Sequence, residues 1–144
     1  MGTENLIATS KITVNAPAAK VWDALINPDL IKKYMFGATV SSNWTKGSAI
    51  SWTGEINGKK YEDKGVIIDL IPEQRLVYSH FSPLSGKADI PDNYHTVTVL
   101  LDAEDDQTQI TLEQDKNETE KSRAESEKNW NLMLEELKKL VEAS

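Results

Sequence analysis

Polar and apolar residues alternate over 6–14, which predicts a β-strand near the start of the chain. Asn15 is a candidate helix N-cap, with Pro17 in the first helical turn, where its missing N–H does no harm. Apolar residues then recur at helical spacing in two short runs, which Asn27-Pro28 separates and Gly37 ends. The pattern therefore predicts one strand followed by two short helices.

Strand-like runs alternate with turn residues from 38 to about 114. The breakers are Lys46-Gly47, Asn57-Gly58, Pro72-Glu73, 82–93 and 103–107. Six strands fit between these breakers, and hairpin turns join neighbouring antiparallel strands. This part of the chain therefore predicts a meander of six antiparallel strands.

The C-terminal segment, 118–144, has the pattern of one long amphipathic helix. Its apolar residues share one side and are Trp130, Met133, Leu134, Leu137, Leu140 and Val141. The first half is almost wholly charged, so we expect it to be solvated. Helices segregated from an antiparallel sheet indicate an α+β fold in which the last helix covers the apolar face of the sheet. Without a linker or repeat, we expect a single domain over 1–144.

Trp44 and Trp52 flank the first predicted hairpin turn, in which Gly47 takes the positive φ that a three-residue loop needs. Pairing through this turn sets Trp52 opposite Val40, on an inward face that also holds Ile50. We expect Trp44 to close the hairpin end. Trp52 lies deeper in the sheet, either as a core residue or as the wall of a binding site.

The strand after the second hairpin turn has two possible sets of inward-facing residues. Pairing through Asn57-Gly58 sets Trp52 opposite Asp63. If the next strand is regular, its inward residues are Asp63, Gly65, Ile67, Asp69 and Ile71. We favour a β-bulge at Gly65 instead, because it restores an apolar inward set of Val66, Ile68 and Leu70. In the regular register, Asp69 would be an interior carboxylate whose pKa burial raises.

Composition and charge exclude several functions. The net charge of −7 argues against a nucleic-acid surface, which needs clustered Lys and Arg. The absence of cysteine excludes disulfides and thiol chemistry, and we expect a cytoplasmic protein. No segment has the roughly 18 consecutive apolar residues of a membrane span. No metal-ligand spacing, phosphate-binding glycine loop or nucleophile motif is present, so we expect no metal and no cofactor.

Several separated blocks carry a resemblance to a known family. They are ITVNAPAAKVWDALINPDLIKKYMFG, the W-x-x-G-x-x-I-x-W spacing around Gly47, GVIIDLIPEQRLVYSHF, HTVTVLL followed by TQITLEQ, and a final helix with Trp130. Together they resemble the activator of heat-shock-protein-90 ATPase homologue (AHSA-type) family. That family belongs to the START-like (SRPBCC) superfamily, which also holds polyketide cyclases and birch-pollen-allergen-like proteins. The resemblance implies a helix-grip fold, with a curved sheet wrapped around the last helix and a cavity between them.

If that cavity exists, its candidate lining is apolar and comes from the sheet and the last helix. The candidates are Phe36, Ile50, Trp52, Ile68, Tyr78, Val97, Val99, Ile110, Trp130, Leu134 and Leu137. We expect the cavity to bind a small apolar or amphipathic molecule, as a carrier or sensor does. The resemblance implies an alternative, a chaperone cofactor that stimulates a heat-shock-protein-90-type ATPase.

A second alternative is a cyclase-like enzyme. Strand periodicity places Tyr78 and His80 on one face of their strand, and His95 starts a face of a neighbouring strand. With Asp69, these residues are the candidates for general acid and base chemistry. Both histidines instead face solvent if they lie near the strand ends, and we expect binding rather than catalysis.

The loop over 82–93 is longer than most hairpin connections. It contains two prolines, and the apolar residues Phe81, Leu84 and Ile90 lie in or next to it. The loop is either a lid over the cavity or a passive surface excursion.

Overall fold

The computed structural model describes residues 6–83 and 86–143. Its strands are β1 Leu6–Val14, β2 Thr39–Ser42, β3 Ala49–Ile56, β4 Lys59–Ile71, β5 Arg75–His80, β6 His95–Glu104 and β7 Gln107–Asn117. Its helices are α1 Ala18–Ile26, α2 Pro28–Tyr34 and α3 Glu120–Glu142, and a 3₁₀ turn spans Pro91–Asn93. This order confirms the one predicted from the sequence.

The seven strands form an open antiparallel sheet in the order β1-β7-β6-β5-β4-β3-β2. Strands β2 to β7 form the predicted meander, and β1 joins beside β7. Because β1 and β2 are the two edges, the chain has to cross the sheet between them, and it does so through α1 and α2. Helix α3 contacts both short helices as well as β1 and β7. The protein therefore has the predicted α+β helix-grip fold.

The second half of α3 lies at the centre of the hydrophobic core. Its buried residues are Met133, Leu134, Leu137 and Val141. They pack in one cluster with aliphatic side chains from α1 and the sheet, including Val21, Val97 and Ile110. Fully burying one such side chain stabilises the fold by about 1.5–3 kcal/mol. This half of the helix therefore holds the sheet and the short helices together.

Helix α1 begins without the predicted cap. Its N-cap position is Pro17, whose side chain cannot accept a hydrogen bond. The Asn15 prediction is wrong because α1 begins later, at Ala18. The Asn15 side chain instead accepts a hydrogen bond from Gln107 Nε2 of β7, at 2.6 Å. Helix α2 does begin at a capping residue, since the Asn27 side chain accepts a hydrogen bond from the Asp29 N–H at 3.1 Å.

Both hairpins have the register predicted from their turns. In the first, Val40 pairs with Trp52, and Gly47 has a φ of 90°. In the second, the φ values at Asn57-Gly58 are 53° and 79°, as a two-residue turn of this hand requires. This second turn sets Trp52 opposite Asp63. Trp52 and Asp63 are thus neighbours on the inner face.

The predicted bulge at Gly65 is wrong, because the register shift lies three residues later, at Ile68. Strand β4 stays regular through Gly65, so Ile67 is buried, whereas Val66 and Ile68 are each 42% exposed on the outer face. Gly65 has a different role. A Cβ added there would lie 1.7 Å from the Ser79 carbonyl oxygen, so only glycine allows β5 to approach so closely.

The shift at Ile68 determines where Asp69 points. Leu70 packs against the core, and Asp69 lies opposite Val77 on the outer face. There Asp69 Oδ2 is 2.8 Å from Arg75 Nη2. The interpretation of Asp69 as an interior carboxylate is therefore wrong, and its role as an acid or base in a cavity is excluded by its position.

We predict that Gly65→Ala lowers the free energy of unfolding by roughly 3 kcal/mol, because the new methyl group meets backbone that cannot rotate away. Urea unfolding followed by circular dichroism measures this loss. Gly54→Ala is the matched control in the neighbouring strand, since the atoms nearest to its Cβ belong to the Tyr61 side chain and not to the backbone. Equal losses for the two variants would contradict the close backbone contact at Ser79.

Candidate functional site

A cavity of about 530 Å³ lies between one end of the sheet and the first half of α3. It occupies the end where β5 and β7 finish and β6 begins. The turn after α2 and the connection between β5 and β6 form other parts of its rim. The volume falls in the usual range for small-molecule sites, roughly 300–1,000 Å³.

Aromatic and sulfur-containing side chains form the apolar wall. These are Met35, Trp52, Tyr78, Trp130 and Met133, with Phe36 at the mouth. The Trp52 and Tyr78 rings pack with their centroids 5.3 Å apart and their planes tilted by 47°. Phe36 is 77% exposed and has a φ of 55°, an unusual backbone conformation for a bulky residue. The wall is thus made of broad, flat surfaces suited to an apolar body.

A histidine and a carboxylate lie side by side on the sheet wall. His80 Nε2 is 2.9 Å from Asp63 Oδ2. The His80 ring also meets the Trp52 ring edge-on, with centroids 5.1 Å apart at 65°. The side chain of Asp63 is 17% exposed, and its Oδ1 is buried without a hydrogen-bond partner among the residues the structure describes. The pair therefore forms a fixed, partly buried polar group beside the apolar wall.

The second histidine, His95, lies directly opposite His80 in the β5–β6 ladder. Its Nδ1 is 2.9 Å from the Asp115 carbonyl oxygen, so the Nδ1 proton is donated to the backbone. In the neutral ring this leaves Nε2 as the acceptor. Next to it, the Trp130 indole N–H donates to Gln114 Oε1 at 2.6 Å, which fixes the position of Trp130 in the wall.

The first half of α3 forms a polar wall. Ser122, Ser126 and Asn129 lie on the helical face that continues into Met133. Ser126 Oγ donates to Asn117 Oδ1 at 2.9 Å, and the buried Asn117 amide in turn donates to the Leu6 carbonyl oxygen. The expectation that this half is only solvated is therefore incomplete, because one of its faces borders the cavity.

The sequence-based candidates divide into three groups. Phe36, Trp52, Tyr78, Trp130, His80 and His95 border the cavity. Ile50 and Val99 instead border a separate void of about 30 Å³ beneath Trp44 and Trp52. Buried in the core outside both spaces are Val97, Ile110, Leu134 and Leu137. These core placements correct the predicted lining. The second half of α3 packs against the sheet with aliphatic side chains, and the 530 Å³ cavity lies at the polar half of α3.

Two further candidates are placed away from the cavity. Ile68 lies on the outer face of the sheet because β4 is regular through Gly65. Asp69 lies on that face beside Arg75. Sequence reasoning missed the pairing of Asp63 with His80, although the hairpin register already placed Asp63 next to Trp52 on the inner face. It also missed the serines of α3. The sequence signal for them was that the apolar stripe of this helix continues toward its N-terminus as small polar residues on the same face.

Tyr94, at the end of the connection between β5 and β6, holds this connection to the sheet. The Phe81 and Tyr94 rings stack at 5.1 Å, and the Tyr94 hydroxyl donates to Asp89 Oδ1 at 2.5 Å. Lys87 and Asn93 border the cavity from this connection. Leu84 and Ser85 lie outside the described residues, and the lid stays a prediction.

Over the described ranges, 6–83 and 86–143, no cluster of three or more His, Cys, Asp or Glu side chains could hold a metal ion. In those same ranges no helix is both long and apolar enough to cross a membrane.

Burial raises the pKa of the Tyr78 phenol well above its ordinary value of 10.0. Burial also raises the pKa of Tyr34, whose hydroxyl donates to the Ala24 carbonyl oxygen. When folding raises the pKa of a tyrosine, the unfolded chain ionises at a lower pH than the folded protein. The stability contribution is therefore fully present below the unfolded-state pKa and is lost as pH rises above that pKa. At neutral pH the Tyr78 hydroxyl is therefore protonated.

We predict that Tyr78 and Tyr34 stay protonated in the folded protein above about pH 10, and that stability falls as pH rises through this region. An absorbance titration at 295 nm measures the ionised fraction of the four tyrosines. The guanidinium-unfolded chain is the control, in which all four ionise together. If the folded protein ionised all four near pH 10, the burial of Tyr78 and Tyr34 would be contradicted.

The family model for "Activator of Hsp90 ATPase homolog 1-like protein" matches residues 15–142. Protein ChR145 from Cytophaga hutchinsonii is 55% identical, the match covers 99% of this chain and 97% of that one, and the TM-score is 0.87. The Aha1 protein of Colwellia psychrerythraea, solved as a dimer, is 22% identical over 94% of this chain and 96% of its own, with a TM-score of 0.73.

Protein MLL2253 from Mesorhizobium loti is 17% identical over 96% of this chain and 98% of its own, with a TM-score of 0.77. These last two similarities show the fold alone. No curated protein matches the chain.

Proposed function

The chain belongs to the activator of Hsp90 ATPase homolog 1-like family, and on that premise we propose that it binds a small amphipathic molecule in the cavity beside Trp52. The observation that carries this proposal is the pairing of an aromatic wall with a few fixed polar groups. Binding sites for small molecules combine these two features, the first for affinity and the second for orientation.

The apolar part of the ligand lies against Trp52, Tyr78 and Trp130 in this proposal. Trp52 and Tyr78 already pack against each other, and Trp130 is held by its bond to Gln114. A wall that is rigid before binding loses little conformational entropy when a ligand arrives, which favours affinity. The aromatic wall therefore needs no rearrangement to accept a flat apolar body.

The polar part of the ligand lies toward the two histidines and the α3 serines. His80 with Asp63, and His95 with its Nε2 acceptor, offer hydrogen bonds from the sheet. Ser126, whose hydroxyl proton is donated to Asn117, offers its oxygen as a further acceptor from the helix. Because these groups can still accept hydrogen bonds, the polar lining favours a molecule with at least one polar group.

We predict that Trp52→Ala weakens binding of the neutral fluorophore N-phenyl-1-naphthylamine about tenfold or more, a loss of roughly 1.4 kcal/mol. The change removes the ring that faces the cavity and costs about 3–5 kcal/mol of folding stability if the neighbours do not close in. Fluorescence titration measures the affinity, at a temperature where circular dichroism shows each variant folded.

Trp44→Ala is the matched control, because Trp44 borders the small void and not the large cavity. It should bind the fluorophore as the wild type does. Trp52→Phe keeps an aromatic surface and should retain most of the affinity. Wild-type affinity in folded Trp52→Ala would refute the cavity as the binding site.

The family match favours a second candidate, a cofactor that stimulates an Hsp90-type ATPase. In this candidate function the protein contacts the ATPase through its surface, so the cavity need not be occupied. ATPase stimulation that is unchanged by Trp52→Ala would favour this candidate, and no stimulation by the wild type would remove it.

A further inference from the structure

We propose that His80, oriented by Asp63, is a general base in the cavity, and that the ligand is an apolar carbonyl compound with an acidic C–H beside the carbonyl group. The reaction is proton transfer at that carbon. This inference rests on the proposed function, because the substrate has to occupy the same cavity.

The hydrogen bond between the two side chains determines which His80 nitrogen is available. Asp63 Oδ2 lies 2.9 Å from His80 Nε2, and an ionised carboxylate only accepts hydrogen bonds. Nε2 therefore carries the proton, and Nδ1 carries the lone pair that can accept one from a substrate. The carboxylate also stabilises the imidazolium that forms when Nδ1 takes up a proton.

Strand pairing, Gly65 and Trp52 hold the His80 and Asp63 side chains in place. Ile67 pairs with Tyr78 and Lys64 pairs with Phe81, so the residue of β4 opposite His80 is Gly65. The space of a Gly65 side chain is taken by the Ser79 carbonyl oxygen, so β4 and β5 lie close together where His80 meets Asp63. Trp52 packs edge-on against the ring from the other side. Such preorganisation is what general base catalysis needs, since proton transfer requires hydrogen-bond reach.

The cost of burying Asp63 supports a functional role. Its Oδ1 is buried and has no hydrogen-bond partner among the described residues. An unpaired buried carboxylate oxygen destabilises the fold. Local costs of this kind are concentrated at functional sites, where the chemistry compensates for the lost stability. A purely structural polar pair would be expected to satisfy both oxygens.

In this proposal Tyr78, whose side chain borders the cavity, donates the hydrogen bond to the substrate oxygen. It lies two residues before His80 on the same face of β5, and both rings pack against Trp52. Its hydroxyl stays protonated at neutral pH because burial raises its pKa. A neutral phenol at a low-polarity wall can donate a hydrogen bond to an oxygen on which negative charge develops.

The step balances without an oxidant or a second reactant. His80 Nδ1 takes the proton from the carbon beside the carbonyl, and the C–H electron pair forms a carbon–carbon double bond. The carbonyl π pair moves onto oxygen, which accepts the hydrogen bond from Tyr78. The imidazolium then returns its proton to the same carbon, or to a conjugated carbon of an unsaturated ketone. The net result is proton exchange or isomerisation.

The probe for this inference is the ketone 2-tetralone in deuterium oxide, with ¹H NMR following loss of the methylene signal between ring and carbonyl. The wild type should exchange this signal about a hundredfold faster than His80→Gln, within the usual range for a general base. Asp69→Asn is the control and should keep the rate, because Asp69 lies on the outer face of the sheet beside Arg75 and away from the cavity.

Asp63→Asn separates positioning from packing. It should bind 2-tetralone as the wild type does, measured by displacement of N-phenyl-1-naphthylamine, yet exchange its protons about tenfold more slowly or worse. Asp63→Glu should recover part of the rate. If 2-tetralone displaces the fluorophore but His80→Gln exchanges as fast as the wild type, the general base is refuted and the binding function stands. If neither compound binds the wild type, both proposals fail.

Discussion

The close approach of β4 and β5 at Gly65 is the constraint on which the site depends. Glycine is required there because the Ser79 carbonyl oxygen occupies the space of a side chain. The approach brings His80 Nε2 of β5 to 2.9 Å from Asp63 Oδ2, and the Asn57-Gly58 hairpin sets Asp63 on the inner face opposite Trp52. A bulge at Gly65 would have reversed the strand faces beyond it. The Asp63–His80 contact therefore depends both on the hairpin register and on the close approach of the two strands.

Helix α3 divides the interior into a filled part and an open part. Its second half carries large aliphatic side chains, which close-pack with the sheet. Its first half presents serine and asparagine on the same face, and small polar residues cannot fill the space over the sheet. One helix thus stabilises the core at one end and borders the open cavity at the other. The aromatic residues Trp52, Tyr78 and Trp130 lie where the two parts meet.

The element order, the meander and both hairpin registers could be predicted because they depend on local patterns and turn residues. The position of the bulge could not, because a glycine inside a strand signals either a bulge or a close backbone approach. Only the distance to Ser79 distinguishes the two. The lining was partly misassigned for a related reason: Ile110, Leu134 and Leu137 are inward-facing, but periodicity does not say which inward residues meet others and which meet space. The Asp63–His80 contact joins two strands diagonally, beyond what either strand pattern shows.

The most direct test of a ligand site at the polar end of α3 uses the four tryptophans as reporters. Each indole N–H gives its own signal in a ¹⁵N–¹H NMR spectrum, and the fluorophore N-phenyl-1-naphthylamine can be titrated against all four together. The signals of Trp52 and Trp130 should shift with a common affinity, while those of Trp22 and Trp44 stay in place. Shifts confined to Trp22 or Trp44, or no shift at saturating fluorophore, would contradict the account.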